Sequence, residues 1–426
     1  MILSYRRLSE GKIIFLVVVF SLFVRFLTVC ILKIDPASDY LAYDQMARNL
    51  IAHGIMKDDF GNVAFYSGGY PLFFLTPIYA LFGHSPLLAQ LGNALLGGLT
   101  TYLIYLLLQQ AKAGSIARVA GPLMFAMYVP SWLYCEYLAK ENLMTPLILL
   151  LLYTSARLNT KPSIFSAIAA GATVAALAIT GSAGLALLPI TIIAIIFARA
   201  QIRTKVQVGS VFLFAALIMV SPWQYRNAEL LGSPVINTNG GFNLYLGNNA
   251  NADGFFVSIA ATPLGSRWKD IRAKGEVYAS DQLKIEAINW ITENPVKFAQ
   301  LAVKKAVIFW TPPLHEGKGT VSKMEKVTRL VWLFQYLILC IPAVYVLATI
   351  KRRNRFVIGV ASAIVLYSSV HMLFYVIFRY REPIMPLLII LAAIGIESLV
   401  YKFTRPQNCS EVWHSPETDD KAKAFA

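Results

Sequence analysis

The sequence predicts an all-α polytopic membrane protein of about ten transmembrane helices, with interfacial helices and a small extracytoplasmic cap. Three observations carry this expectation. Of 426 residues, 57% are hydrophobic and only 14% charged, well short of the quarter or so that a soluble chain carries. Apolar runs of membrane-crossing length recur along the chain. Lys and Arg collect on alternate connections between those runs.

The first run, 13–32, holds a single charge, Arg25. It is too long for a signal-peptide core and no small-residue cleavage site follows, so it is expected to be retained. Further runs fall at 87–108, 116–133, 143–156, 164–180, 185–198, 208–222, 330–350, 356–375 and 384–401. Arg6, Arg7 and Lys12, then Lys112 and Arg118, Arg157 and Lys161, Arg199, Arg203 and Lys205, Lys351 to Arg355, and Lys402 and Arg405 mark the cytoplasmic connections. Ten spans with both termini inside satisfy the asymmetry at every turn. The net charge of +15 is therefore mostly topological, and no nucleic-acid partner is expected, since no basic stretch interleaves the aromatics a stacking platform needs. Cys30, Cys135, Cys340 and Cys409 lack metal-ligand spacing and read as structural and unpaired.

This topology divides the chain into an N-terminal transmembrane module (1–222), whose first extracytoplasmic loop covers 33–86, an extracytoplasmic loop domain (223–329), C-terminal transmembrane helices (330–405) and a cytoplasmic tail (406–426). In the first loop, Ser38 is a candidate cap, Asp39, Tyr43, Ala47 and Leu50 recur at helical spacing, and Gly54 can close the helix. Asp39 falls in the first turn, where the macrodipole favours a carboxylate, and Tyr43 shares its face. Asp44 lies on another face, and Asp35, before Pro36, reads as a turn residue. "FYSGGYPLFFLTPIYALFG" (65–83) reads as a Gly-Gly turn followed by an apolar stretch broken by Pro71 and Pro77, interfacial or re-entrant rather than spanning. The second outer loop starts at "PWQYRN" (222–227), passes through a Gly/Asn-rich stretch and turns helical over 281–292 and again from an Asn294 cap through Pro295 to Trp310.

Six phrases in order, "DYLAYDQMARNLIAHG", "GGYPLFFLTPIYALFG", "PWQYRN", "GGFNLYLGNN", "NPVKFAQLAVKKAVIFW" and "RYREPIMPLLIILAAIGI", resemble the GT-C superfamily of polyprenyl-phosphate-sugar glycosyltransferases related to protein O-mannosyltransferases and aminoarabinose transferases. The resemblance implies an enzyme of the bacterial inner membrane that moves a sugar from an isoprenoid phosphate to a hydroxyl of a glycolipid, glycan or protein on the periplasmic side. It implies a catalytic role for Asp39, the acidic residue of the first outer loop. Two positions depart from the family: Tyr40 stands where protein O-mannosyltransferases carry a second acid, and Phe65, Tyr66 and Ser67 replace the cation that relatives place before the Gly-Tyr-Pro turn.

Such a transfer needs a base for the acceptor proton and cations for the departing phosphate. Asp39 is the candidate base, its alternative being a helix cap. Arg226, Arg379 and Arg381 are the candidate phosphate ligands, since guanidinium grips phosphate bidentately; the alternative is snorkelling toward headgroups. Lys140, Glu141, Tyr43, Asn243 and Asn248 are candidates for substrate or metal contacts, with turn chemistry the other reading of the asparagines. The sequence establishes no cofactor; a divalent cation, Mg or Mn, is the option the carboxylates leave open. Glu136 reads as solvated and Glu382 as a partner of Arg381, and no histidine pair has ligand spacing. The rival functions are a polysaccharide polymerase or ligase, and a flippase for a lipid-linked sugar, which would place ionisable residues near mid-membrane.

Overall fold

A computed structural model of the protein describes residues 9–32, 38–312, 323–349 and 354–404. The expected turn at Asp35, His315, the basic pairs Arg6–Arg7 and Arg352–Arg353, Cys409 and the tail 406–426 lie outside the described residues. Every regular element among the described residues is helical.

Each of the ten expected spans is helical, although 116–133 is divided into two helices and 185–198 begins in a 3₁₀ segment. In chain order the helices are α1 (Glu10–Ile31), α2 (Asp39–His53), α3 (Thr76–Phe82), α4 (Pro86–Gln110), α5 (Ser115–Ala126), α6 (Val129–Leu133), α7 (Glu141–Thr160), α8 (Ile164–Thr180), α9 (Leu188–Ile196) and α10 (Ile202–Leu231). Then come α11 (Asn239–Gly247), α12 (Trp268–Ala273), α13 (Glu276–Glu293), α14 (Pro295–Trp310), α15 (Lys323–Thr349), α16 (Arg355–Met372) and α17 (Met385–Thr404). Among the described residues six helices, α1, α4, α10, α15, α16 and the one ending in α17, are long and apolar enough to cross a bilayer by themselves. The other four expected spans are shorter or more polar. α5 and α6 are separated at Tyr128, α9 is preceded by a short 3₁₀ segment at Ser182–Leu187, and α7 carries Glu141, Asn142 and Asn159.

The bundle is organised around α17, whose residues from Met385 to Ile394 are buried without a break. A fully buried helix reads as an unbroken apolar run, and "MPLLIILAAIGI" is one. Pro342 of α15 crosses α17 at Gly395, where an added Cβ would stand 2.0 Å from the Pro342 carbonyl oxygen. Two residues further along α17, the buried Glu397 carboxylate accepts the Gly114 and Ala117 N–H groups at 2.9 and 3.3 Å, so an acid from a distant helix satisfies donors that the start of α5 leaves open. By contrast α1, α10 and α15 are largely uncovered and carry exposed Phe15, Phe23, Phe214, Leu217, Phe334 and Val344, as lipid-facing helices do.

Arg25 is completely buried. Its guanidinium donates to the Ser21 carbonyl (3.0 Å), the Phe125 carbonyl (3.3 Å) and Ser131 Oγ (2.6 Å), tying α1 to α5 and α6. In a site short of water, carbonyls and hydroxyls of neighbouring helices take the place of hydration.

Several outer segments differ from expectation. α10 runs through "PWQYRN" to Leu231 instead of ending at Pro222. Ser221 Oγ donates to the Ile218 carbonyl at 3.1 Å, the carbonyl that Pro222, lacking an N–H, leaves unbonded. The Gly68-Gly69 pair is not a turn but a close approach: a Cβ on Gly68 would meet the Trp223 ring at 2.1 Å, and one on Gly69 the Thr180 backbone at 2.6 Å. The helix that follows opens with a π-helical turn, Pro71–Leu75, and continues as α3. Together they span only twelve residues, roughly 18 Å of rise against about 30 Å of hydrocarbon, too short to cross. α14 begins at Pro295 and ends at Trp310 as expected, whereas α13 begins five residues before the expected Asp281.

Replacing Gly395 by Ala is expected to cost about 1 to 3 kcal/mol, because the crossing backbones must separate. Gly359→Ala, facing open space on α16, should be neutral or slightly stabilising. Thermal unfolding of the two variants in one detergent checks the contrast; equal melting temperatures would contradict the crossing.

Candidate active site

α2, α7 and the segment before α17 bring Asp39, Glu141 and Arg379 together. Connectivity puts all three at one end of the bundle: Asp39 follows α1, while Glu141 and Arg379 precede helices that run the opposite way. Asp39 does not cap α2. Its carboxylate pairs with the Arg379 guanidinium. Ser38 holds the N-cap position at φ 53° and makes no side-chain capping bond, a left-handed backbone that a non-glycine residue adopts at some cost. Gly54, at φ 70°, closes the helix as its position suggested.

Arg379 is held on several sides. Glu141 Oε1 lies 3.6 Å from its Nε, its Nη1 donates to the Tyr40 hydroxyl at 3.4 Å, and its guanidinium stands over the Tyr40 and Tyr380 rings at 5.6 and 5.9 Å. The Tyr40 ring in turn packs on Tyr137 at 4.7 Å. Glu141 Oε1 and Arg379 Nε are both buried without a hydrogen-bond partner, so this ion pair is close but leaves donor and acceptor capacity unspent. Lys140 adds a second cation: the charges of Glu141, Arg379 and Asp39 all act on it, and burial pulls its pKa below the ordinary lysine value. Burial likewise pushes Tyr40 up to about 12 and Tyr43 well above 10, so both hydroxyls remain protonated at neutral pH.

The cluster therefore holds two carboxylates and two cations in a partly desolvated pocket, where Coulombic effects exceed those in water. The carboxylate is 29% exposed at Asp39 against 5% at Glu141, with Arg379 at 19%, which makes Asp39 the carboxylate a substrate can reach. Mg or Mn asks for about six oxygen ligands. No group of three His, Cys, Asp or Glu converges among the described residues, and a guanidinium already stands between Asp39 and Glu141.

Of the other sequence candidates, Tyr43 is buried against Tyr66 and Tyr70, edge to face at 6.0 and 5.9 Å. Arg226 and Arg381 do not join the cluster through any contact among the described residues. Arg226 donates to the Met56 (2.6 Å) and Val63 (2.9 Å) carbonyls and lies over Trp223. Arg381, fully buried, donates to the Phe309 (2.9 Å) and Thr311 (3.2 Å) carbonyls and lies over Tyr336. Both tie loops to helices. Asn248 spends its amide on the Leu244 and Leu373 carbonyls and accepts from Lys305 Nζ at 3.0 Å. Asn243 accepts from Tyr375, which accepts from Tyr380, at 3.4 and 3.2 Å, a hydroxyl chain ending beside Arg379.

Sequence reasoning missed Tyr40 and Tyr380 as the aromatic walls of the cation, Tyr137 behind Tyr40, and His371, which stacks on Tyr380 and Phe309 at 5.0 and 5.5 Å with a buried, unpartnered Nε2. The only local signal was the adjacency of Tyr380 to Arg379. Asp44 is not a free loop carboxylate: it accepts from Tyr79 (2.6 Å), His84 (2.9 Å) and Arg48 (2.9 Å), fixing α2 to the helix after it. Glu382 accepts from Tyr128 at 3.3 Å and makes no ion pair with Arg381 among the described residues. Glu136 is 1% exposed instead of solvated, and neither oxygen has a hydrogen-bond partner.

Burial pushes the Glu136 carboxyl up from 4.5 to about 7. The native state thus keeps a proton that the unfolded chain releases, so stability should fall as pH rises from about 4.5 to about 7. Glu136→Gln is expected to remove that slope and to raise the melting temperature at pH 8. Melting curves between pH 5 and pH 8 check it, and an unchanged slope would contradict the burial.

No family model and no curated protein sequence matches the chain. Solved structures do. The archaeal oligosaccharyltransferase AglB from Archaeoglobus fulgidus, in complex with an inhibitory peptide and a dolichol-phosphate, aligns at 12% identity and a TM-score of 0.53 over 94% of this chain and 51% of its own. Its apo form gives 13% identity and 0.54 over the same shares. ArnT from Cupriavidus metallidurans, bound to undecaprenyl phosphate, gives 13% identity and 0.47 over 92% of this chain and 78% of its own. The chain spans about half the length of the oligosaccharyltransferase. Its architecture is an all-α polytopic fold like that of the oligosaccharyltransferase, the fold class the sequence predicted.

Proposed function

We propose that the protein is an integral membrane glycosyltransferase that moves a sugar from a polyprenyl-phosphate donor to a hydroxyl acceptor, with inversion, at the extracytoplasmic face. The observation that carries this reading is the Arg379 guanidinium held between Asp39 and Glu141 with polar capacity to spare. A phosphate arriving at Arg379 and Lys140 competes for the cation that engages Asp39, since guanidinium binds phosphate at least as readily as carboxylate. Asp39 is then free to accept a proton. The acceptor oxygen attacks the anomeric carbon, its proton passes to Asp39, and the carbon–oxygen bond to the phosphate breaks with its electron pair leaving on the polyprenyl phosphate. Lys140 and Arg379 stabilise that anion, and Glu141 keeps Arg379 oriented.

The membrane side follows from charge. Lys112, Arg118, Arg157, Lys161, Arg199, Arg203 and Lys205 sit at the helix ends opposite the cluster, which supports a cytoplasmic assignment for those ends and for both termini, with the site facing the periplasm of a bacterial inner membrane. The TM-scores above 0.5 to an oligosaccharyltransferase, one form of which is in complex with a dolichol-phosphate, support this setting.

Asp39→Asn preserves shape while removing the proton acceptor, and is expected to lower turnover with a matched lipid-phosphate sugar by about 10²- to 10⁴-fold with donor binding retained. Radiolabel transfer by purified, equally expressed variants measures it. Full turnover in Asp39→Asn would remove the base from this mechanism, and a flippase would behave in that way.

A further inference from the structure

Resting on the transferase reading, we propose that the cavity between the first outer loop and α12–α13 is the acceptor subsite, and that the acceptor is a carbohydrate presenting one uncharged sugar ring to Trp268 and Phe242. This cavity of about 180 Å³ is walled by Phe65, Tyr66, Phe242 and Trp268, with Arg272 and Thr238 among its polar groups. It is smaller than the roughly 300 to 1,000 Å³ of a drug-sized site, a size that favours a single ring over an extended chain.

Its chemistry is that of a polyol site. The rings form a bent wall: Phe65 meets Phe242 edge-on at 5.3 Å, and Phe242 meets Trp268 tilted at 5.6 Å. Aromatic faces carry partial negative charge and attract the polarised C–H groups on one side of a sugar. Hydroxyls then need donors and acceptors at the rim. Arg272 spends one N–H on Asn62 Oδ1 at 3.2 Å and stands over Phe60 at 5.4 Å, leaving donors of its five-donor fork for a ligand. Tyr66, which burial holds at about 12, keeps its hydroxyl proton.

Charge argues against an anionic occupant. Asp58 and Glu276 outnumber the one cation among the lining residues, so the lipid phosphate is directed to the Arg379 cluster and not here. Those two carboxylates shape the wall. Asp58 accepts the Phe60 and Asn62 N–H groups at 2.9 and 2.8 Å. Glu276 accepts the Val63 N–H at 2.5 Å and the Thr238 hydroxyl at 2.8 Å, fastening the first loop to the second. Tyr66 links cavity and chemistry: it lines the cavity, packs on Tyr43 one turn from Asp39, and feels the Asp39 charge. A hydroxyl leaving the ring on that side points toward the proposed base.

The test uses the full chain in nanodiscs and saturation-transfer NMR with the methyl glycosides of glucose, galactose and mannose, alongside a serine-bearing peptide and undecaprenyl phosphate. At least one glycoside should receive saturation. Trp268→Ala should weaken that binding tenfold or more, Arg272→Gln severalfold, and Trp268→Phe should restore most of it, with undecaprenyl phosphate binding unchanged throughout. Asp39→Asn should bind the sugar as the parent does. The proposal is overturned if no glycoside binds the parent chain, if Trp268→Ala and Arg272→Gln both bind sugar normally, or if the peptide binds in a Trp268-dependent way and the sugars do not. Trp268-dependent sugar binding in a chain that transfers nothing from any lipid-phosphate sugar would keep the subsite and remove the transferase reading.

Discussion

A single guanidinium sets the geometry of the outer face. Arg379 touches α2 through Asp39 and Tyr40, and α7 through Glu141, while belonging to the segment that leads into the buried α17. These are three chain segments far apart in sequence. An arginine with two carboxylate neighbours and two aromatic faces can hold them together in a place of low dielectric while its Nε stays unspent. The same arrangement is reactive in principle, because each carboxylate depends on a cation that an incoming phosphate can claim. Cohesion of the site and readiness for an anion come from one side chain.

The scaffold keeps that side chain in position with devices suited to a bilayer. α17 is a buried post, crossed at Gly395 and anchored two residues further on by Glu397 on the start of α5. Arg25, Arg226 and Arg381 donate to backbone carbonyls, which supplies hydrogen bonds to loops and helix ends where water is scarce. Three of the four arginines that stand out are thus architectural. The fourth, Arg379, is the one facing carboxylates.

The helical plan was legible because its cause is local and repetitive: apolar runs, alternating basic connections, a Pro295 start and a Gly54 stop. The site was only half legible. Asp39 was named through the family resemblance, and Lys140 and Glu141 from their place at the outer end of a helix, yet nothing in local spacing distinguishes Arg379 from Arg381 two residues on. Their difference arises from a partner 340 residues away for one and from carbonyls of α14's end for the other. The Gly68-Gly69 pair misled for a related reason. Sequence shows that a side chain is absent, but the Trp223 ring and Thr180 backbone that require its absence belong to other helices. Glu136 shows the same limit for charge, since a carboxylate between two tyrosine-rich turns gives no sign of being buried.

The central claim is that Arg379, and not the more strongly tethered Arg226 or Arg381, receives the lipid phosphate. Native mass spectrometry of undecaprenyl phosphate binding to the parent chain, Arg379→Gln and Arg226→Gln tests it most directly. The account predicts a loss of affinity of about tenfold or more for Arg379→Gln, on the scale of one charge-assisted contact, and parent-like binding for a folded Arg226→Gln. Undiminished binding in Arg379→Gln, with the loss falling on Arg226→Gln instead, would contradict it.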